Sequence, residues 1–219
     1  LYHLTHEFSI QDYLLKKDVN PLDIIDKLKD HNGAAWDKKN ILSLSLFDSF
    51  VSGLSVANKD FSLRYIHLTF THFPVDFDED CNYRSNDKVW YKANQTEKGI
   101  KGQENCALNK FVTFLHKLKK LEIYDDSLVI FKSDHGKPVK YFSEFPDNLK
   151  INMNRHWGYN RYRPTLMIKN FNKENAKIEF RDDLVLLNDI AKTLCVASDV
   201  KIDCNKISGV NLLGESLKS

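Results

Sequence analysis

Apolar residues along this chain follow two kinds of pattern: steps of three and four that turn a helix, and short unbroken runs that suit a buried strand. Ile10, Tyr13 and Leu14, then Ile24, Ile25 and Leu28, carry the helical step through residues 10–31, with Pro21 suited to the first turn of the second helix and Gly33 as a stop signal. A further helix is predicted over residues 45–57, where Leu46, Phe47, Phe50, Val51 and Leu54 share a face. The clearest helix covers residues 104–121; Ala107, Leu108, Phe111, Val112, Leu115 and Leu118 recur along one side and are predicted to be core. Another is predicted over residues 183–196. Strand-like runs lie at residues 61–70, 128–132 and 164–169. Residues 76–102 are polar, follow no period and read as a surface excursion. Residues 137–163 are irregular, and the tail through Gly209 and Leu213 reads as closing loop and edge structure. Helices between short apolar strands predict an α/β layered sheet, without internal repeats.

Composition narrows this little. A chain of 219 residues, 42% of them hydrophobic, can bury a sizeable core in one large domain or two small ones, with one α/β domain as the default. A net charge of +2 gives no global pull toward nucleic acid or a membrane surface, and Lys117, Lys119 and Lys120 read as the wet face of a helix. There is no run of about 18 apolar residues to span a bilayer, and no signal-peptide pattern. The opening at Leu1, mid-pattern, leads to the expectation of a piece of a longer protein. Cys81, Cys106, Cys195 and Cys204 form no Cys-x-x-Cys pair, which argues against a zinc knuckle or thioredoxin-like site. Their number and spacing allow Cys81–Cys106 and Cys195–Cys204 disulfides in an oxidising compartment; four reduced thiols are equally compatible with the sequence. Asn94-Gln95-Thr96 is a glycosylation acceptor only in a eukaryotic secretory setting.

The candidate chemistry gathers where the strand-like runs end. The run Leu128-Val129-Ile130-Phe131-Lys132 stops abruptly at Ser133-Asp134-His135-Gly136. In an open α/β sheet, ligand crevices form at the C-terminal edge of the strands. An adjacent Asp and His there supply one hard oxygen and one borderline nitrogen, a pair suited to a divalent cation. The same residues also suit a polar turn that Asp134 caps. His72 ends another run, and His156 precedes the run that starts at Pro164. If these strands are neighbours, the groups converge on one crevice, as metal-assisted chemistry on a phosphate or sulfate ester requires. Each histidine alone also reads as an ordinary hydrogen-bonded structural residue. Arg155, Arg161 and Arg163 suit either an anion clamp or a solvated loop. His67 is expected at the core or its margin, and His3, His6, His31 and His116 at the surface.

Residues 124–136, Tyr-Asp-Asp-Ser-Leu-Val-Ile-Phe-Lys-Ser-Asp-His-Gly, closely resemble the metal strand of the alkaline phosphatase superfamily. Within it the chain looks most like the sulfatase-like branch, which includes phosphoethanolamine transferases and lipoteichoic acid synthases of bacterial envelopes. His67-Leu-Thr-Phe-Thr-His-Phe-Pro74 resembles that family's His-Leu-x-x-x-His-x-Pro block. Residues 106–123 are similar to the helix leading into the metal strand, residues 163–169 to the segment after the last active-site histidine, and residues 187–194 to the Asp-Ile-x-x-Thr-Leu helix near the end. The matches are in the family's order and span residues 61–213.

The resemblance implies a three-layer alkaline phosphatase/sulfatase-like sandwich, α/β in class and incomplete, of which residues 61–219 would be the C-terminal half and residues 1–60 a helical lead-in to the same domain. It implies a metal-dependent phospho- or sulfo-ester transferase or hydrolase, most concretely one that moves phosphoethanolamine onto cell-envelope glycans or lipids. Asp134 and His135 would hold a divalent metal ion (Zn, Mn or Ca). His72 would contact the substrate phosphate or sulfate, or a second cation, and His156 would be the downstream catalytic histidine. The family's nucleophile is a Thr, Ser or modified Cys in an N-terminal half that has no match here, and no Cys-x-Pro-x-Arg signature occurs. Lys137 and Pro138 replace the acidic residue that often follows the Asp-His-Gly strand. The expectation is therefore a chain inactive alone, whose whole protein is anchored by an N-terminal membrane region, works outside the cytoplasm and has no nucleic-acid partner. The alternative is a non-catalytic binding domain that keeps the fold and part of the metal site.

Overall fold

The computed structural model describes residues 35–56, 62–85, 87–136, 164–172, 177–198 and 202–214. The chain divides into two units, Leu1–Glu122 and Ile123–Ser219. The helices predicted over residues 10–31 lie outside the described residues.

In the first unit, α1 (Ala35–Gly53) starts well before the predicted helix at residue 45. Its buried face is mixed: Asn40, Leu44, Phe47 and Val51 recur at steps of four and three, with Ile41 and Ser43 beside them. The polar members hide this part of the helix from an apolar count. Helix α2 (Lys88–Asn94) and helix α3 (Glu97–Lys120) follow, so α3 begins seven residues earlier than the apolar pattern indicates. Asp87 caps α2 by accepting the Val89 and Trp90 N–H groups at 3.1 and 3.0 Å. Thr96 caps α3 through Gly99 N–H, and Lys117, Lys119 and Lys120 sit in its last turn, where cations complement the helix dipole.

The core of this unit joins Ile41 and Leu44 of α1 to Phe70, Phe77 and Cys106. Burying each such apolar side chain stabilises by about 1.5–3 kcal/mol. Along α3, only Gly99, Gln103, Cys106 and Leu118 are buried; Leu108 and Val112, predicted as core, are exposed. Phe114, stacked on Phe111, meets Phe47 and Phe50 of α1. Lys110 adds an ion pair to Asp48 at 2.7 Å.

Three further expectations are corrected. Residues 62–69 form no ladder among the described residues, and His67, expected at the core margin, is exposed. A strand needs a partner along its edge; here Thr69 N–H donates to the Ser43 hydroxyl at 2.8 Å instead. The start of the polar stretch 76–102 is no surface excursion: Val75, Asp76 and Phe77 are at most 2% exposed. A disulfide ties Cys81 to Cys106 of α3.

In the second unit, β1 (Val129–Lys132) and β2 (Leu166–Lys169) form an antiparallel pair in which Val129 faces Lys169 and Lys132 faces Leu166. The Lys169 ammonium lies 4.1 Å from the centre of the Tyr124 ring and hydrogen-bonds the carbonyls of Tyr124 and Ser127, which ties the turn before β1 to β2. Helix α4 (Leu187–Ala197) begins at the point where the Asp189 carboxylate takes the Leu186 N–H at 2.6 Å. The second Asp189 oxygen takes Val210 N–H at 2.8 Å, and the Thr193 hydroxyl takes Leu212 N–H at 2.9 Å, so α4 organises the closing segment. A second disulfide joins Cys195 to Cys204, at the start of a short 3₁₀ turn (Cys204–Lys206). No cysteine is free. Among the described residues no helix is long and apolar enough to cross a membrane.

Candidate functional site

The Asp134–His135 pair sits directly beyond β1. The strand end is pinned twice: Ser133 N–H donates to the Thr165 carbonyl at 3.0 Å, and Thr165 N–H donates to the Ser133 hydroxyl at 2.9 Å. The apolar run that makes β1 thus delivers Asp134 and His135 at a fixed place. Asp134 is exposed and His135 half-buried. One Asp134 oxygen accepts the His135 backbone N–H at 2.9 Å, as a turn-capping Asp does.

The other oxygen faces the imidazole. His135 Nδ1 lies 2.9 Å from the Gly136 carbonyl oxygen, while Nε2 lies 3.6 Å from Asp134 Oδ2. A carbonyl can only accept, so Nδ1 carries the proton in this contact and Nε2 of the neutral ring presents its lone pair to the carboxylate. Two lone-pair atoms held face to face can share a cation between them. Bonds of about 2.0–2.1 Å meeting at a tetrahedral angle place two ligand atoms about 3.3 Å apart. The observed 3.6 Å needs only a small adjustment to match that. A ring N–H bound to a backbone carbonyl is also the usual outer support of a metal-ligating histidine. The residues present therefore fit the divalent cation that the resemblance implies. Among the described residues no group of three or more His, Cys, Asp or Glu gathers around a common point, and the pair by itself offers two donor atoms.

His72 belongs to the first unit and is exposed. Its N–H closes a turn onto the Thr69 carbonyl at 2.8 Å, and its Nδ1 lies 2.5 Å from the Phe73 carbonyl oxygen. The Phe73–Pro74 peptide that follows is cis. The structure thus brings Asp134 and His135 together and presents His72 on a separately described unit. His156, together with Arg155, Arg161 and Arg163, lies outside the described residues.

A third set went unnoticed in the apolar pattern. Beneath His72, the Asp76 carboxylate is fully buried and accepts Asn40 Nδ2 at 2.7 Å and the Ser85 hydroxyl at 2.5 Å. Gln103 Oε1 accepts the Asp76 and Phe77 N–H groups at 2.8 and 3.2 Å. Gln95 grips the preceding residue at both backbone groups, taking Val75 N–H and donating to Val75 O at 2.9 Å each. The available signal was Gln103 itself, which stands four residues before Ala107 on the stripe predicted to be apolar. No protein-family model, curated protein or solved structure matches this chain.

Proposed function

We propose that this chain carries part of a metal-dependent site for phosphate or sulfate esters, of the sulfatase-like kind found in the alkaline phosphatase superfamily. The observation that carries the reading is the Asp134–His135 pair, with His135 Nε2 turned to the carboxylate at 3.6 Å and Nδ1 held by the Gly136 carbonyl. Asp134 and His135 would hold a divalent cation such as Zn²⁺ or Mn²⁺. When bound, such an ion polarises ester oxygens and stabilises the charge that builds on them. The chain's own part is to fix the ligand pair rigidly at a strand end and to orient the imidazole through the Gly136 carbonyl. His72, on the first unit, would contact a phosphate or sulfate oxygen by the resemblance alone. The two disulfides support an oxidising working compartment, in keeping with transfer of phosphoethanolamine to an envelope glycan or lipid as the most concrete activity.

Metal content and affinity of the purified chain test this, measured beside an Asp134→Ala/His135→Ala double variant. Near-stoichiometric Zn²⁺ or Mn²⁺ binding that disappears in the variant is the expected result. Equal binding by both proteins, or none by either at millimolar metal, refutes the cation reading and leaves the pair as a cap of the turn.

A further inference from the structure

We propose that Asn40, Ser43 and Gln103 form a buried platform that positions the His72 imidazole. The inference rests on the ester-site reading above only for what His72 grips. Asn40 and Ser43 stand three residues apart on the buried face of α1, and Gln103 projects from the buried face of α3. Ser43 fixes the entry of the turn, because its hydroxyl takes Thr69 N–H at 2.8 Å and the Thr69 carbonyl in turn takes His72 N–H at 2.8 Å. Gln103 fixes the exit through the Asp76 and Phe77 N–H groups. Between them, Asn40 Nδ2 and Gln103 Nε2 both point at the His72 carbonyl, at 3.4 and 3.5 Å. The His72 backbone is thus held before, beneath and after the residue.

Satisfying the buried Asp76 carboxylate accounts for the Asn40 Nδ2 contact at 2.7 Å, but not for the bonds that converge on the His72 turn. Asn40 is 1% exposed, yet among the described residues its Oδ1 has no hydrogen-bond partner. A buried amide oxygen without a partner lowers stability, and replacing a buried polar set by well-packed apolar side chains is often neutral or favourable. What the polar set does provide is a backbone course fixed by directional bonds. With His72 N–H and C=O held, the ring closes Nδ1 onto the Phe73 carbonyl at 2.5 Å. The hydrogen bond made by one ring nitrogen sets the state of the other. The platform therefore selects the tautomer with the proton on Nδ1. Asn40, Ser43 and Gln103 are positioning residues, acting through His72.

Nitrogen-15 NMR of the imidazole rings in the whole chain, at about pH 8 where a histidine is neutral, reads this directly, with exposed His116 of α3 as the internal reference. Wild-type His72 is expected in the Nδ1–H form. Gln103→Met fills similar volume but removes both the acceptor for the Asp76 and Phe77 amides and the donor to the His72 carbonyl; it should move His72 toward the Nε2–H form without moving His116. Ser43→Ala, which releases the entry of the turn, should move it the same way and remains decisive if Gln103→Met does not fold. Inorganic phosphate serves as the ligand probe. It should shift the wild-type His72 ring signals and bind each variant about 10-fold more weakly or worse, as loss of outer support does in comparable sites. Tautomer shifts in the variants without any phosphate response in the wild type would support the platform and remove the ester-binding role of His72. A His72 tautomer unchanged in a folded variant overturns the platform.

Discussion

Replacing Gly209 with alanine should destabilise the second unit by an amount that follows from two separate effects. Gly209 has φ +109°, a conformation that an L side chain rarely adopts, and holding a non-glycine residue there costs about 1–3 kcal/mol. The added Cβ would also stand 2.8 Å from Asp189 Oδ1 and 2.9 Å from the Asn188 carbonyl oxygen. Asp189 cannot move away without releasing the Val210 N–H, which its Oδ1 holds at 2.8 Å. A hydrogen bond to a charged group contributes about 1.5–3 kcal/mol. The two effects together amount to about 2.5–6 kcal/mol, a large share of a small unit's stability. Urea denaturation followed by amide exchange at Leu186 and Val210 measures it locally, both amides being bound by Asp189 in the native state. Gly214→Ala is the control, since a Cβ there meets only the Asn211 carbonyl oxygen at an ordinary 3.6 Å. If Gly209→Ala lies within about 0.5 kcal/mol of wild type and both amides keep their protection, the Asp189 clamp is not what holds the closing segment to α4.

The two disulfides should contribute unequally. Loop-closure entropy for separations of 25 and 9 residues gives about 3.5 kcal/mol for Cys81–Cys106 and about 2.6 kcal/mol for Cys195–Cys204. Paired Cys→Ser variants in denaturant unfolding check the order, and a larger loss for the shorter loop would contradict it. The Trp90 N–H, and after it the Arg84 guanidinium, hold the Asp87 carboxyl below the usual carboxylate range. Its contribution is therefore present above the unfolded carboxylate's pKa and lost as pH falls through the lower folded value. Exchange protection of the Trp90 amide should fall in acid, and Asp87→Ala should remove that acid-dependent part; a pH-independent Trp90 amide in the wild type would contradict the cap.

Elements built on one unmixed pattern were the legible ones. The α3 helix, α4 and both short strands follow from apolar spacing and β-branched runs, with boundaries displaced where capping decides. Thr96 and Asp189 set helix starts through hydrogen bonds that hydropathy does not register. The early part of α1 was hidden because Asn40 and Ser43 occupy buried positions, and Val75–Phe77 because its polar neighbours look solvated. Residues 62–69 alternate as a strand would, but ladder formation depends on a partner supplied from elsewhere in the chain. Asp134 and His135 were legible because their contiguity alone puts them in reach of one another. The support beneath His72 was not, since it joins positions more than thirty residues apart (Asn40 to His72, His72 to Gln103).

The way the four cysteines pair bears on how the chain reaches its oxidised form. Four thiols allow three connectivities. The native one keeps each bridge inside a single unit, Cys81–Cys106 in the first and Cys195–Cys204 in the second. Both alternatives would cross-link one unit to the other and would have to close far longer loops, and the entropic cost of closure rises with loop length. An oxidising solution therefore already favours the native partners before either core has formed, and each unit can complete its bridge without waiting for the other. Scrambled, isomerase-dependent intermediates should be a minor part of this chain's oxidative history.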